Sequence, residues 1–138
     1  MRTGGRISAI VVATLLVGMA LQVGTSTAAG RERCTLKGTS GDDHLVDTGG
    51  ASVICALGGN DLVEAGPGND RVYGGKGDDR LEGNEGNDVL FGGPGSDTIV
   101  TSDGTSGNDR AIGGPGNDTC LIDEGDKTRG CETVQVVV

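Results

Sequence analysis

The chain has 138 residues and a formal net charge of −9, with 20 acidic and 11 basic residues. That length accommodates one domain, and the surplus of carboxylates repels phosphate backbones, so we expect no nucleic-acid partner. Only 34% of the residues are hydrophobic, Trp is absent, and Tyr and Phe occur once each, whereas Gly occurs 28 times. This composition excludes a conventional two-layer apolar core. The chain is either disordered or held together by something other than apolar burial.

Residues 1–29 have the pattern of a secretory signal peptide. Arg2 and Arg6 supply a positive start, residues 7–23 are almost wholly apolar, and small residues follow at 26–29. This is the pattern that signal peptidase recognises. An uncleaved membrane anchor is the alternative, although the apolar stretch is short for a membrane span. We expect cleavage and a secreted protein without a membrane span, with a net charge lowered from −9 to −11 by the loss of both arginines.

A nine-residue repeat begins at residue 38. Seven units occupy 38–100, residues 101–103 interrupt the register, and two further units occupy 104–121. The fourth position is Gly in all nine units, and the sixth is Asp in eight of them, Ser52 being the exception. The eighth position is always aliphatic or Cys, namely Leu45, Ile54, Val63, Val72, Leu81, Leu90, Ile99, Ala111 and Cys120. A flexible Gly-rich linker has no reason to keep this phase, so we expect ordered structure.

Each unit predicts a Gly-rich turn followed by a strand of three residues. The glycines allow sharp bends, and the middle strand residue points inward while its neighbours point outward. Two units complete one coil, with strands on opposite sides, and successive coils stack ~4.8 Å apart. The nine units therefore predict an all-β parallel β-roll, a β-solenoid of about four and a half coils and roughly 22 Å in length.

Stacking places the sixth-position aspartates in two rows along the roll. One row contains Asp43, Asp61, Asp79, Asp97 and Asp118, and the other contains Asp70, Asp88 and Asp109. Carboxylates ~4.8 Å apart repel each other by about 0.9 kcal/mol per pair in bulk water and by more inside a protein. The rows therefore need cations, and a ligand set of carboxylates and main-chain carbonyls suits Ca²⁺.

The consensus Gly-Gly-x-Gly-x-Asp-x-U-x, in which U is aliphatic, resembles the hemolysin-type (RTX) calcium-binding repeat over residues 38–121. The resemblance implies that a Ca²⁺ ion lies between consecutive turns on the same side, held by the sixth-position Asp of both turns and by turn carbonyls. For this chain it implies about four to six ions. The implied side-chain ligands are Asp43, Asp61, Asp70, Asp79, Asp88, Asp97, Asp109 and Asp118. The implied turn backbone lies near Gly59, Gly68, Gly75, Gly77, Gly86, Gly93 and Gly95.

The fifth position of the repeat is Asn or Asp in most units. These residues are Asp42, Asn60, Asn69, Asp78, Asn87, Asn108 and Asn117. They are either additional calcium ligands or ordinary turn residues. Because Asn and Asp favour such turns in any case, we prefer the second interpretation.

Four cysteines flank or end the repeat region, and they allow three disulfide pairings. Export favours disulfides. The local pairs Cys34–Cys55 and Cys120–Cys131 would staple one end of the roll each, whereas the competing zinc site lacks a Cys-x-x-Cys or an adjacent His. We assign residues 30–37 to an N-terminal cap, 38–121 to the β-roll and 122–138 to a C-terminal cap that ends in a closing strand.

The sequence contains no motif of a hydrolase, a nucleotide-binding enzyme or a zinc protease, and its single His44 occupies an outward strand position. We therefore expect no enzyme, but a monomeric, secreted protein whose folding is driven by Ca²⁺. The alternative is a calcium-rigidified interaction module that binds a polymer or protein of the cell envelope. We expect the two aromatic residues, Tyr73 and Phe91, to lie on opposite faces and form no patch.

Overall fold

The computed structural model describes residues 9–12 and 33–138, which form thirteen β-strands in two sheets. The seven-stranded sheet contains, in order, β1 (Ala9–Val12), β3 (His44–Asp47), β5 (Leu62–Glu64), β7 (Arg80–Glu82), β9 (Thr98–Val100), β11 (Thr119–Ile122) and β13 (Thr133–Val136). The six-stranded sheet contains, in order, β12 (Lys127–Arg129), β10 (Arg110–Ile112), β8 (Val89–Phe91), β6 (Arg71–Lys76), β4 (Val53–Gly58) and β2 (Leu36–Lys37). Within these residues no helix is long and apolar enough to cross a membrane.

The segment assigned to a signal peptide lies outside the described residues except for β1. That strand pairs with β3 in antiparallel orientation. Every other strand pair is parallel. Leu45 pairs with Val63 and Val63 with Leu81, so partners are two nonapeptides apart. The chain therefore alternates between the two sheets and completes one coil every two repeats, as predicted for a parallel β-solenoid.

The roll has about six turns, so the expectation of four and a half was too low. Three strands outside the nine units extend it, namely β2, β12 and β13. Lys127 pairs with Arg110 and Thr133 with Thr119, which places the last two strands in register with the repeats. The segment 122–138 thus contributes two strands, where a single closing strand was expected. The units that contain β12 and β13 are shorter than nine residues, so the nine-residue spacing does not predict these two strands.

The three residues at 101–103 do not disturb the stacking. Leu90 pairs with Ala111 and Ile99 with Cys120, so β10 and β11 stay in register although their partners are three residues further apart in the chain. The added residues are absorbed in a turn, where Thr101 is buried and its hydroxyl donates to Asp126 Oδ2 at 3.0 Å. Such an insertion lengthens a connection at small entropic cost and leaves the strand ladder intact.

Two ladders of apolar side chains fill the interior of the roll. The seven-stranded sheet contributes Leu45, Val63, Leu81, Ile99 and Cys120, and the six-stranded sheet contributes Leu36, Ile54, Val72, Leu90 and Ala111. All of them except Leu36 are fully buried. Burying one aliphatic side chain contributes about 1.5–3 kcal/mol, whereas ordering the backbone of each residue costs about 1–2 kcal/mol. One such side chain per nine residues is therefore a thin core.

Both disulfides join neighbouring cysteines. Cys34–Cys55 connects the segment before β2 to β4, with a Cα–Cα distance of 5.8 Å, and Cys120–Cys131 connects β11 to the segment before β13, with 6.0 Å. The predicted local pairing is therefore confirmed. The zinc interpretation is wrong, because all four sulfurs are in disulfides.

Tyr73 and Phe91 lie on the same face of the roll, so the expectation of opposite faces is wrong. They are paired residues of β6 and β8 in the six-stranded sheet. Their rings stack with centroids 4.8 Å apart and an interplanar angle of 7°. The repeats 65–73 and 83–91 are separated by one intervening unit, and two units complete a coil, so the second ring returns to the face of the first.

Candidate metal sites

The turns on each side of the roll stack closely because their glycines have no side chain. Gly77 has a φ of +119°, and a Cβ added there would collide with the carbonyl oxygen of Gly59 in the preceding turn on the same side. Gly95 stands in the same relation to Gly77. A residue with a Cβ would be strained at this φ and would fill the space between the turns. Glycine at the fourth position therefore leaves carbonyl oxygens facing the next turn.

Every sixth-position aspartate except Asp43 is held by the backbone of the preceding turn on its own side. Asp79 Oδ1 accepts the N–H of Asp61 at 2.9 Å, and Asp97 Oδ1 accepts the N–H of Asp79 at 2.9 Å. The same type of bond is made at Asp61, Asp70, Asp88, Asp109 and Asp118. The predicted rows are therefore present, and they continue across the interruption at 101–103.

The second oxygen of these carboxylates is buried and accepts no hydrogen bond from the described part of the chain. This holds for Oδ2 of Asp61, Asp70, Asp79, Asp88, Asp97, Asp109 and Asp118. None of these residues is more than 3% exposed. A buried carboxylate oxygen without a donor carries a desolvation cost that nothing in the fold offsets. These Oδ2 atoms therefore lack a hydrogen-bond donor in the described part of the chain.

Main-chain oxygens border these unpartnered atoms. A Cβ added at Gly74 would contact both Asp79 Oδ2 and the carbonyl oxygen of Gly92, which is in the next turn on the same side. A Cβ at Gly92 would contact Asp97 Oδ2. The first glycine of the repeat thus leaves a small space that a carboxylate and a carbonyl oxygen both border. Oxygen ligands of these two kinds are those that Ca²⁺ prefers, so the residues present fit a calcium ion.

Burial also changes the acidity of the rows. Loss of solvation raises the pKa of Asp79 and Asp88 to about 7 and that of Asp70, Asp97 and Asp109 to about 6. The hydrogen bond from the neighbouring backbone opposes this rise, and repulsion from nearby carboxylates adds to it. The pKa of Asp61 is raised for the same reasons. In the absence of a cation the rows therefore favour protons, which is how a buried, unpaired carboxylate lowers its charge.

Side chains alone do not form a compact metal cluster. In residues 9–12 and 33–138, no group of three or more His, Cys, Asp or Glu side chains is arranged to hold a metal ion. Each turn supplies one buried carboxylate to a row, so two neighbouring turns supply two. A calcium ion, which takes about six to eight oxygen ligands, would need turn carbonyls for the remainder.

The rows differ at their N-terminal ends. Asp43 Oδ2 accepts hydrogen bonds from the backbone N–H of Thr39 and, at 2.9 Å, from its hydroxyl. At most one oxygen of Asp43 is therefore free for a metal. In the other row Ser52 occupies the sixth position, and its N–H donates to Asp70 Oδ1 at 2.7 Å. The first gap of each row is therefore bordered by one unpartnered carboxylate, whereas the gaps between Asp61 and Asp118 in one row and between Asp70 and Asp109 in the other are bordered by two.

At the C-terminal end, two acidic residues that the sequence analysis missed continue the rows. Asp126 Oδ1 accepts the N–H of Asp109 at 3.2 Å, and Glu132 Oε2 accepts the N–H of Asp118 at 2.7 Å. Both residues directly precede a strand of the shortened units. An acidic residue immediately before a strand triplet is thus the sequence signal that identifies Asp126 and Glu132, although their units are shorter than nine residues.

The fifth-position side chains form a separate, exposed ladder. Asp42 Oδ1 accepts the N–H of Asn60 at 2.7 Å, and Asn60 Oδ1 accepts the N–H of Asp78 at 2.9 Å. Asn69 and Asn87 are linked in the same way on the other side. These contacts support the interpretation of the fifth position as a turn residue, because its side chain bonds the backbone of the next turn.

Comparison with known families agrees with this geometry. The family model described as the RTX calcium-binding nonapeptide repeat (4 copies) matches residues 37–72, 64–99 and 101–126. No curated protein and no solved structure matches the chain. The matched segments cover more than half of the sequence and include the repeats whose turns carry the two aspartate rows. The chain therefore belongs to the family of RTX calcium-binding nonapeptide repeat proteins.

Proposed function

We propose that the protein is a secreted calcium-binding β-roll whose folding is coupled to the binding of about four to six Ca²⁺ ions. One observation carries the proposal: seven buried aspartate oxygens receive no hydrogen bond from residues 33–138, and they lie in two rows between stacked turns. A divalent cation offsets both the desolvation of these oxygens and the repulsion between neighbouring carboxylates. No enzyme activity is proposed.

Each ion would lie between two consecutive turns on the same side, bound by the sixth-position Asp of both turns and by turn carbonyls. The gaps with two unpartnered carboxylates are Asp61/Asp79, Asp79/Asp97, Asp97/Asp118, Asp70/Asp88 and Asp88/Asp109. The gap Asp43/Asp61 has a weaker ligand set, because Thr39 engages Asp43 Oδ2. The turn backbone would contribute at Gly59, Gly68, Gly75, Gly77, Gly86, Gly93 and Gly95.

The N-terminal sequence pattern and the two disulfides support secretion, because disulfides persist in oxidising compartments. Extracellular fluid often contains calcium at millimolar levels, so sites with a Kd of ~10⁻⁴ to 10⁻³ M would be occupied there. Since the ions bind only where turns are stacked, binding stabilises the folded roll by mass action.

The test is a Ca²⁺ titration of the oxidised protein, followed by far-ultraviolet circular dichroism, with Mg²⁺ as the matched control. We expect a cooperative gain of β-sheet signal with Ca²⁺ and none with Mg²⁺, because Mg²⁺ requires octahedral geometry and gives up its waters reluctantly. Full β-sheet signal in chelator would contradict the coupling of folding to calcium. A chain that stays disordered with saturating Ca²⁺ would contradict calcium binding itself.

A role as a calcium-rigidified interaction module of the cell envelope is the second candidate function. The stacked pair Tyr73 and Phe91 favours it, because the two aromatic side chains of the chain lie together on one outer face. Aromatic residues are enriched in the contact surfaces of proteins. Retention of the protein on isolated envelope with Ca²⁺, and its release by chelator, would support this role, whereas no retention would contradict it.

A further inference from the structure

The outer face of the six-stranded sheet carries positive charge on an acidic molecule. Its outward positions hold five cations, namely Lys37, Arg71, Arg110, Lys127 and Arg129. The other outward residues of its strand triplets are Val53, Cys55, Tyr73, Val89, Phe91 and Ile112. No acidic side chain occupies an outward position of these strands in the described chain, although the net charge of the sequence is −9. Charge is thus segregated, because the described acidic residues lie in the turns and on the other sheet, whereas this face carries cations.

Three of these cations converge on a pocket at one end of the face. The pocket has a volume of about 410 Å³ and is lined by Arg110, Ile112, Lys127, Thr128 and Arg129. Arg110 is directly beside Lys127, and Ile112 is directly beside Arg129, in the pairing of β10 with β12. The three cations are exposed, and none of them forms an ion pair with any residue that the structure describes.

Three like charges around one depression repel each other, so the fold gains nothing from this arrangement. An anion between them would reverse the sign of the interaction. Guanidinium groups bind carboxylate, phosphate and sulfate oxygens through paired N–H bonds, and the Lys127 ammonium is a third charged hydrogen-bond donor. The pocket therefore has the charge and the donor set of a site for a single oxyanion group.

An apolar ridge crosses the strands of this sheet, parallel to the axis of the roll, and ends at this pocket. Cys55, Tyr73, Phe91 and Ile112 pair in register on β4, β6, β8 and β10, and Arg129 follows on β12. The ridge is flanked by Arg71 and Arg110. An extended ligand would complement the ridge over several coils if it carries widely spaced negative charges and its remaining surface is weakly polar and rich in carbon.

We propose that this face binds an acidic polysaccharide, with a carboxylate or sulfate group in the pocket of Arg110, Lys127 and Arg129 and the sugar chain along the ridge. The proposal rests on the second candidate function, that of an interaction module, and names the chemistry of its partner. It does not depend on the coupling of folding to calcium.

Two other polyanions fit the face less well. A lipid bilayer is flat and would not enter a concave pocket. Single-stranded nucleic acid needs free aromatic faces on which bases stack, whereas Tyr73 and Phe91 cover each other. Its dense phosphates would also meet the acidic turns that border the face on both sides.

The test measures binding of the full, calcium-saturated protein by isothermal titration calorimetry. The probes are short oligogalacturonates, which carry carboxylates, dextran sulfate, which carries sulfates, and neutral dextran. We expect binding to at least one acidic probe and none to neutral dextran, and the stronger of the two acidic probes identifies the anionic group. The variant Arg110→Gln/Lys127→Gln/Arg129→Gln should bind at least ~tenfold more weakly.

Lys127→Gln and Arg80→Gln form a matched pair, because each removes one exposed cation from a strand. Arg80 lies in the other sheet and pairs with Glu82. We expect several-fold weaker binding for Lys127→Gln and unchanged binding for Arg80→Gln, with identical circular dichroism spectra showing that both variants fold.

Three results would overturn the proposal: no binding to either acidic probe, equal binding by the triple variant, or tighter binding to double-stranded DNA or anionic vesicles. If the triple variant is still retained on cell envelope in a calcium-dependent way, the interaction-module role stands and the assignment of this face is wrong.

Discussion

At the scale of the residue, the two oxygens of each buried aspartate have different surroundings. In Asp79, Oδ1 accepts the N–H of Asp61 while Oδ2 has no donor. The first contact positions the side chain, and we propose that the second oxygen binds a cation. A substitution that keeps the first contact and removes the charge should therefore separate the two roles.

Asp79→Asn is such a substitution, because the amide oxygen can still accept the N–H of Asp61. We expect calcium affinity in the two gaps beside residue 79 to fall at least ~tenfold, since the loss of one charge-assisted ligand costs more than 1 kcal/mol. In chelator the same variant should show as much β-sheet signal as the unmodified protein or more, because a buried unpaired carboxylate has been removed. Calcium titration measures the first effect, and far-ultraviolet circular dichroism in chelator measures the second.

The control is Asp78→Asn, which changes an exposed neighbour whose Oδ1 accepts the N–H of Ser96. It should leave calcium affinity close to that of the unmodified protein. Equal losses for Asp78→Asn and Asp79→Asn would argue against an ion held by the sixth position.

The raised pKa values predict the pH dependence of the calcium-free fold. The pKa of Asp79 and Asp88 is about 7 in the fold, against 3.8 for an ordinary Asp. Between these two values the folded state holds protons that the unfolded chain has released, so stability falls as pH rises. We expect the folded fraction in chelator, measured as β-sheet signal in circular dichroism, to be highest near pH 4, to decline up to about pH 7 and to change little above it. With saturating Ca²⁺ the decline should disappear, and a β-sheet signal in chelator that rises with pH across this range would contradict the expected direction.

At the scale of the structural element, a strand of three residues is too short to be stable by itself, and the turn decides whether coils can stack. The fourth-position glycines make this possible, because the backbone of one turn lies against the carbonyls of the preceding one. They do not all matter equally. Gly77 is pressed against Gly59, whereas a Cβ at Gly41 would have no atom within 4 Å.

Gly77→Ala and Gly41→Ala therefore form a matched pair at the same position of the repeat. We expect Gly77→Ala to reduce the free energy of unfolding with saturating Ca²⁺ by at least ~2 kcal/mol, because the added Cβ is strained at positive φ and separates two turns. Gly41→Ala should change it by no more than about 0.5 kcal/mol. Urea denaturation measures both, and similar costs at the two positions would refute the stacking argument.

At the scale of the whole molecule, the roll is a linear stack in which each coil contacts only its neighbours. Stability in such a stack is limited by its ends, and the disulfides lie there. Cys34–Cys55 connects the segment before β2 to β4, and Cys120–Cys131 connects β11 to the segment that leads into β13. Each bridge lowers the conformational entropy of the unfolded chain. In the chain-entropy model this stabilises the fold by about 3 kcal/mol.

Cys34→Ser/Cys55→Ser should accordingly lower the free energy of unfolding by about 3 kcal/mol when calcium is saturating. Cys55 points outward from β4 and is not part of the interior ladder, so its replacement leaves the ladder intact. Urea denaturation of the variant against the oxidised protein measures the loss. An unchanged midpoint would mean that the N-terminal coil is held by its strand pairing alone.

The outer faces are also a property of the whole molecule. The pocket of Arg110, Lys127 and Arg129 exists only because β12 pairs with β10. The two strands belong to units of different length, and their relative position cannot be inferred from nine-residue spacing. Charge segregation on this scale is set by which strands become neighbours.

The periodic part of the sequence was sufficient to predict the β-roll, the inward ladder that includes Leu45 and Leu81, and the alignment of the aspartates. A strict period leaves one choice of neighbour for each strand, since a shift by a single residue would turn Leu81 outward and its charged neighbours Arg80 and Glu82 inward. The disulfide pairing was one of three arrangements that four cysteines allow, and local pairing was correct because stacking brings each pair within reach.

Tertiary structure decided what lies outside the period. Asp126 and Glu132 continue the rows because backbone hydrogen bonding extends to β12 and β13 even where the repeat is shortened. Only the packed turns show that Asp79 Oδ2 has no donor whereas Asp43 Oδ2 has two. A sequence repeat specifies which backbone groups can pair, but the surroundings of an individual oxygen depend on the atoms that stacking places around it.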